Sequence, residues 1–251
     1  MIKSGWKDLV DRGYRKLSCG YGDGGYQTLS SDGSGTYVVT PGSGSYGTSG
    51  SVSNYVKSGL AFFVQATPTG GSLTFKEAAK SNSAGQANIA ASLPWPQLRA
   101  NLYGINPNKT VYMSDGILIN YSDNFSNGID DMDALKSYNT SENLSVKSNN
   151  ILLAVERRHT IINTDTIFLN LTGVKIQSYR FEVIATSLYH PGITGFLEDA
   201  YLHTSTPLNI DGTTLIDFTV VNVAGSHAAN RFRIVFKQQG LLPVTFTSLQ
   251  A

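Results

Sequence analysis

The residues best placed by type and spacing to do chemistry are four carboxylates, Asp123, Asp130, Asp131 and Asp133. They share one short stretch with Asn124 and Gly128. Hard oxygen donors on a glycine-containing loop suit Ca²⁺, which takes roughly six to eight oxygens. The spacing is not that of an EF-hand, because no Glu closes the loop where that motif needs one. Aspartates in such a loop also serve as turn formers and caps. A calcium ion here is expected to be structural. Other chemistries have thinner support. His159, His190, His203 and His227 show no metal-binding spacing. Gly33-Ser34-Gly35 and Gly42-Ser43-Gly44-Ser45 lie in glycine-rich loops with no strand-to-helix context, so no nucleophile elbow forms. A glycosidase needs two carboxylates across a cleft. Glu156, Glu182, Glu198 and Asp199 are available for that, although Glu198-Asp199 sits near a strand end and reads more simply as a turn cap. No catalytic residue is assigned.

Binding is the better expectation. Trp95 is held extended between Pro94 and Pro96. With Tyr103 and Tyr121 it makes a candidate platform for a flat sugar face, which Tyr112 and Tyr138 would extend. Trp95 also suits a plug between two halves of the molecule, and strand tyrosines are mostly half-buried. The glycine–tyrosine run at 20–26 reads as a loop, with an aromatic binding surface as its functional alternative.

These residues need a scaffold, and the patterning says what it is. In the run 230–237, Phe232, Ile234 and Phe236 alternate with Arg231, Arg233, Val235 and Lys237. That period of two marks a strand with one face on a core and the other toward water. Runs at 179–183 and 218–223 share it. Earlier strands are expected at 36–40, at 60–66 and, after the Pro68-Thr69-Gly70-Gly71 turn, at 72–75. Residues 76–91 carry alanines and read as a linker or a short helix. Beyond them strands are expected at 97–103, 151–155, 160–162, 167–171, 179–186, 195–202, 214–223 and 230–237. Val111-Tyr112-Met113 and Ile117-Leu118-Ile119 flank Ser114-Asp115-Gly116, a hairpin-turn signal. No βα alternation occurs. The expected fold is all-β, an antiparallel β-sandwich of jelly-roll kind, as one sandwich or as two packed subdomains. The organisation reads as an N-terminal glycine/tyrosine-rich segment (1–35), a smaller β subdomain (36–91), a jelly-roll-like sandwich (92–240) and a linker toward a following domain (241–251).

Composition limits the partners. A formal net charge of +1 leaves no basic excess for nucleic acid. No apolar run approaches the ~20 residues of a membrane span. The lone Cys19 makes no internal disulfide. The first residues lack an apolar h-region, so export would require a longer precursor.

Several segments together resemble a family. Leu60-Ala61-Phe62-Phe63-Val64-Gln65-Ala66-Thr67 followed by Leu73-Thr74-Phe75 is similar to a recurrent segment of large secreted and surface proteins of Bacteroidetes-type bacteria. Asp133-Ala134-Leu135-Lys136, Asp165-Thr166-Ile167, Tyr179-Arg180-Phe181, Leu197-Glu198-Asp199 and Asn230-Arg231-Phe232 resemble its companion region. Leu242-Pro243-Val244 resembles the join to a C-terminal sorting domain read by the type IX secretion system. The resemblance covers 36–251, and residues 1–35 depart from the pattern. It implies a non-catalytic module of a secreted or surface-displayed protein, acting in structural spacing and adhesion. Its partners would be neighbouring domains of a longer chain and a glycan or cell-surface ligand. Asp165-Thr166-Ile167 also resembles a bacterial O-glycosylation acceptor. The alternative is a carboxylate-dependent hydrolase acting on a polysaccharide or ester at the sandwich face.

Overall fold

Phe232, Ile234 and Phe236 all point into one hydrophobic core, as their alternation requires. They belong to the last described strand of a computed structural model that describes residues 7–12, 26–31, 37–40, 62–65, 95–130 and 132–238. The protein is all-β, and the one helical turn among the described residues is a 3-10 turn at Ala224–His227.

Two sheets carry the strands. The first contains β1 (Lys7–Arg12), β2 (Tyr26–Ser31), β3 (Tyr37–Thr40) and β4 (Phe62–Gln65), in the order β3-β2-β1-β4. It draws strands from both sides of residue 35. The second is built from β5 (Gln97–Ile105), β6 (Val111–Tyr121), β7 (Ala134–Leu135), β8 (Asn143–Ser148), β9 (Ile151–Arg158), β10 (Thr166–Thr172), β11 (Ser178–Thr186), β12 (Ile193–Asp199), β13 (Thr204–Leu208), β14 (Thr213–Thr219) and β15 (Phe232–Gln238). Its order is β13-β12-β15-β10-β8-β9-β6-β5-β11-β14, with the short β7 added to β9. The sheet curls until its end strands, β13 and β14, meet, which makes it nearly a barrel.

One core fills the interior. It takes Leu98, Ala100 and Leu102 from β5, Ile117, Ile119 and Tyr121 from β6, Tyr179, Phe181 and Val183 from β11, and the alternate residues of β10, β12 and β15. Phe181, Phe218 and Phe232 pack ring on ring, with centroids 4.7–5.1 Å apart. β10 links two parts of the sheet. Its first half pairs with β15, and Leu169–Thr172 pairs with β8.

The structure departs from the sequence expectations in definite places. The sheet is mixed, because β6 and β9 run parallel. Ser114-Asp115-Gly116 is not a hairpin turn. It lies inside the continuous strand β6, because the Asp115 side chain has partners elsewhere in the sheet. Residues 160–162 form no strand, and β8 and β13 were not expected. Proline at 207 hides β13, since a proline within a run argues against a strand. The expected strand at 72–75 lies outside the described residues.

Asp115 explains how a parallel pair fits into an otherwise antiparallel sheet. β6 and β9 are paired only over Leu118–Tyr121 of β6. Before that point they separate, and β7 pairs with β9 in the gap. Both oxygens of Asp115 accept from Lys136 Nζ, at 2.6 and 2.5 Å, and Oδ2 also accepts from the Leu144 backbone N–H of β8 at 2.6 Å. The carboxylate is 0 % exposed and its lysine 3 %. An ion pair this deep holds β6, β7 and β8 together where the strand ladder is interrupted.

Two glycines are fixed by close approach. At Gly173, with φ +70°, a Cβ would stand 2.2 Å from the Ser141 carbonyl oxygen. At Gly104 it would stand 2.2 Å from Cζ of Tyr112, which pairs with it on the neighbouring strand.

Candidate functional site

Carboxylates, arginines and a tyrosine gather where β6 and β9 end and β10 begins. The parallel register sets Ile119 beside Glu156 and Tyr121 beside Arg158, all on the core side of the sheet. Glu156 and Arg158 are two residues apart on one strand, so they share a face. Arg158 Nη1 donates to both oxygens of Glu156, each at 3.2 Å. Its Nη2 stands 3.9 Å from Asp165 Oδ1. Asp165 is held from the other side, where Oδ2 accepts from the Ile162 N–H at 3.0 Å.

Burial governs the electrostatics of this group. It raises the Glu156 carboxyl above the usual carboxylate range, against the pull of Arg158. It raises the Tyr121 phenol as well, with Arg158 opposing the shift and Glu156 and Asp165 adding to it. Tyr121 is 1 % exposed, and its hydroxyl has no hydrogen-bond partner among the described residues. Among the same residues Arg158 Nε has none either.

Two loops close over this end. Thr160 Oγ1 donates to Asp123 Oδ1, and His159 N–H donates to Asn127 Oδ1 at 3.0 Å. These bonds clasp 122–133 to 159–165. Of the expected calcium ligands, Asp133 is buried, and its two oxygens accept from the Asp130 and Arg157 backbone N–H groups at 2.9 and 2.8 Å. Asp130 Oδ1 accepts from the Met132 N–H at 2.7 Å. Asp131 lies outside the described residues. Among the described residues, no three His, Cys, Asp or Glu side chains stand together as a metal-holding group.

The expected aromatic platform is not an exposed surface. Tyr103 and Tyr121 are both buried, so neither offers a ring face to solvent. They lie on opposite faces of the sheet. Tyr121 is in the core, whereas the Tyr103 hydroxyl donates to Glu182 Oε2 at 2.8 Å in a buried polar group with Asn101. Beside that group Arg99 Nη1 reaches Thr40 of the first sheet at 3.5 Å. Burial pushes the Arg99 guanidinium down to about 10, which leaves it cationic at neutral pH. Trp95 is half-buried, packs edge-on to Phe125 at 5.0 Å and has the Arg157 guanidinium 5.6 Å from its ring centre. Among the described residues the exposed rings are Tyr138, which the platform reading included, Phe168 and Tyr189.

Sequence reasoning missed Arg158 altogether. It reads as a solvent residue at a strand end, and only the parallel pairing of β6 with β9 brings it beside Tyr121. Of the carboxylates considered for hydrolysis, Glu156 lies in this site, Glu182 binds Tyr103, and Glu198 and Asp199 pair with arginines of β15 and the residue before it. No protein-family profile, no curated protein and no solved structure matches the chain.

Proposed function

We propose that the chain is a non-catalytic structural module of a secreted or surface-displayed bacterial protein, which spaces neighbouring domains and contacts a glycan. The finer fold in this reading is a sandwich of jelly-roll kind. β10, which crosses from one set of strands to the other, and the short connection between β13 and β14 support two facing layers.

The observation that carries the reading is the use made of buried charge. Asp115 with Lys136 and Asp199 with Arg231 each join separate strands through bidentate contacts. Glu142 accepts from the Tyr179 hydroxyl at 3.0 Å, which ties the approach to β8 to β11. Ionised groups used as struts suit a part that must hold its shape under load.

Thermal melting across a panel of bacterial and plant polysaccharides tests glycan contact, since a ligand of the native state raises the midpoint by mass action. A rise with one polysaccharide is the expected result, and a flat panel overturns the glycan contact. The structural calcium belongs to the same proposal. After EDTA, added Ca²⁺ is expected to raise the midpoint, and Asp131→Ala is expected to abolish that rise.

One observation favours a second reading, a carboxylate-dependent hydrolase. Glu156 is a carboxyl raised by burial, beside an arginine and near a second carboxylate, as a general acid would be. Release of nitrophenol from nitrophenyl glycosides or esters by the protein, lost in Glu156→Gln, would replace the first reading with this one.

A further inference from the structure

The ion pair that closes the wedge between β6 and β9 is also a pair of reactive groups. Its two contacts, 2.6 and 2.5 Å, are shorter than the ~2.7–2.9 Å of an ordinary ammonium–carboxylate bond. An amine that touches both oxygens of one carboxylate lies within about 3 Å of the carbon between them, no farther than a near-attack pair. The backbone holds both partners in place. The Lys136 N–H donates to the Leu152 carbonyl at 2.8 Å, and Asp115 pairs with Leu102 of β5. Lys109, Lys147, Lys175 and Lys237 are all exposed, whereas the Lys136 side chain is buried.

The surroundings favour condensation over ionisation. In water, hydrolysis of an amide gains from ionisation of the acid and amine it releases. A buried site withholds that gain, because both charges are costly there. Burial accordingly raises the Asp115 carboxyl, against the pull of Lys136, which brings the neutral acid and neutral amine within reach. The Leu144 and Gly116 N–H groups donate to Oδ2 and Oδ1 at 2.6 and 2.8 Å, aimed at the charge that develops on oxygen during attack.

We infer that Lys136 and Asp115 condense to an intramolecular amide, which ties the end of β7 to β6. The ammonium first gives one proton to Oδ1. The Nζ lone pair then attacks Cγ and forms the C–N bond. The Cγ–Oδ1 bond breaks, and Oδ1 leaves as water with that proton and a second one from the nitrogen. Oδ2 stays as the amide oxygen, on the Leu144 N–H. Arg231 cannot do the same with Asp199, since a guanidinium is always charged and has no lone pair to attack with. The bond needs no ligand, so it stands or falls apart from the glycan contact proposed above.

The test is the mass of the full chain, folded at neutral pH and then denatured. The expected mass is lower than that of the sequence by one water. Trypsin is expected to cut after Lys109 and Lys147 but not after Lys136, so residues 110–147 emerge as one peptide that also lacks one water. Lys136→Arg keeps a cation that cannot condense, and is expected to show its full mass. Asp115-Gly116 offers a competing loss of the same mass, a succinimide formed by attack of the Gly116 nitrogen on Asp115 Cγ. That product would persist in Lys136→Arg and would leave Lys136 of the parent open to trypsin. Full sequence mass in the parent, cutting after its Lys136, or a water loss that persists in Lys136→Arg overturns the bond. The parent's own peptide map reads the link directly, so the test holds even where Lys136→Arg fails to fold.

Discussion

Arg231 shows how much one side chain can hold together. It is 2 % exposed, although the alternation of its strand assigns it to water. Nε and Nη2 donate to the two oxygens of Asp199 at 2.9 and 2.7 Å, and Nη1 donates to the Thr219 and Ser226 carbonyls. The rings of Tyr201, Phe218 and Phe232 lie 4.8–5.2 Å from the guanidinium carbon. Asp199 Oδ1 meanwhile accepts from the Tyr201 and Leu202 N–H groups, so the turn cap read from Glu198-Asp199 is present. Breaking a buried pair leaves one charge uncompensated, at a cost of about 3–5 kcal/mol. Asp199→Ala is expected to lose that much in urea denaturation. Arg231→Lys is expected to lose a large part of it, because one ammonium cannot hold both oxygens of Asp199 and also the Thr219 and Ser226 carbonyls. Hydrophobic alternation locates a strand and its inner face, as Phe232, Ile234 and Phe236 show. It cannot see that a charged residue at the strand's entry meets a carboxylate 32 positions away. Tyr103 and Tyr121 were misread for a related reason, since β5 and β6 are buried on both faces for much of their length.

Glu156 gives the residue scale a pH signature. Its folded carboxyl is raised, chiefly by burial. The folded protein therefore holds this proton more tightly than the unfolded chain does. Stability from this group falls as pH rises from the ordinary carboxylate range to the raised value. Glu198 has the opposite sign. Hydrogen bonds from Lys237 and Arg233 lower it, so its contribution is present above the ordinary range and is lost as pH falls through the lowered value. Glu156→Gln is expected to flatten the decline above the ordinary carboxylate range, and Glu198→Gln the rise on the acid side of it. Midpoints measured at closely spaced pH values check both.

At the scale of elements, the wedge between β6 and β9 is the weak point that the Asp115–Lys136 pair closes. Lys136→Met leaves a carboxylate with no exposure and no counter-charge, and is expected to destabilise by about 3–5 kcal/mol. Asp115→Leu with Lys136→Met is expected to recover much of that loss, because replacing both partners leaves no orphaned charge. A double-mutant cycle by urea denaturation measures the coupling. The sequence misleads here for a physical reason. Asp115-Gly116 between apolar pairs is a strong local turn signal. It is overruled by an ammonium 21 residues on and a backbone N–H 29 residues on, neither of which a local pattern contains. Strands whose evidence is their own alternation, β10, β11 and β15, were legible. The candidate site was not, because it depends on a parallel pairing that no stretch of sequence announces.

At the scale of the whole molecule, the pairings are long in sequence. β5 pairs with β11 from Gln97↔Thr186 to Ile105↔Ser178, and β10 meets β15 through Thr166↔Val235. Loops of that length must close before their contacts stabilise anything. Refolding from urea is therefore expected on the millisecond-to-second scale typical of such topologies. Stopped-flow Trp fluorescence measures it, and a microsecond phase carrying most of the amplitude would contradict it.

The place of β15 in the sheet also sets an order of events. It is the last described strand to be synthesised, yet it lies between β12 and β10 with a partner on each side. Until the ribosome has delivered Phe232–Gln238, the nascent chain holds two open strand edges facing an empty slot, and Arg231 has not yet reached Asp199. A chain stopped short of this strand lacks the part that joins the two portions of its sheet. Joining of the β12–β13 pair to the rest of the sheet through β10 thus waits for the last strand of this region.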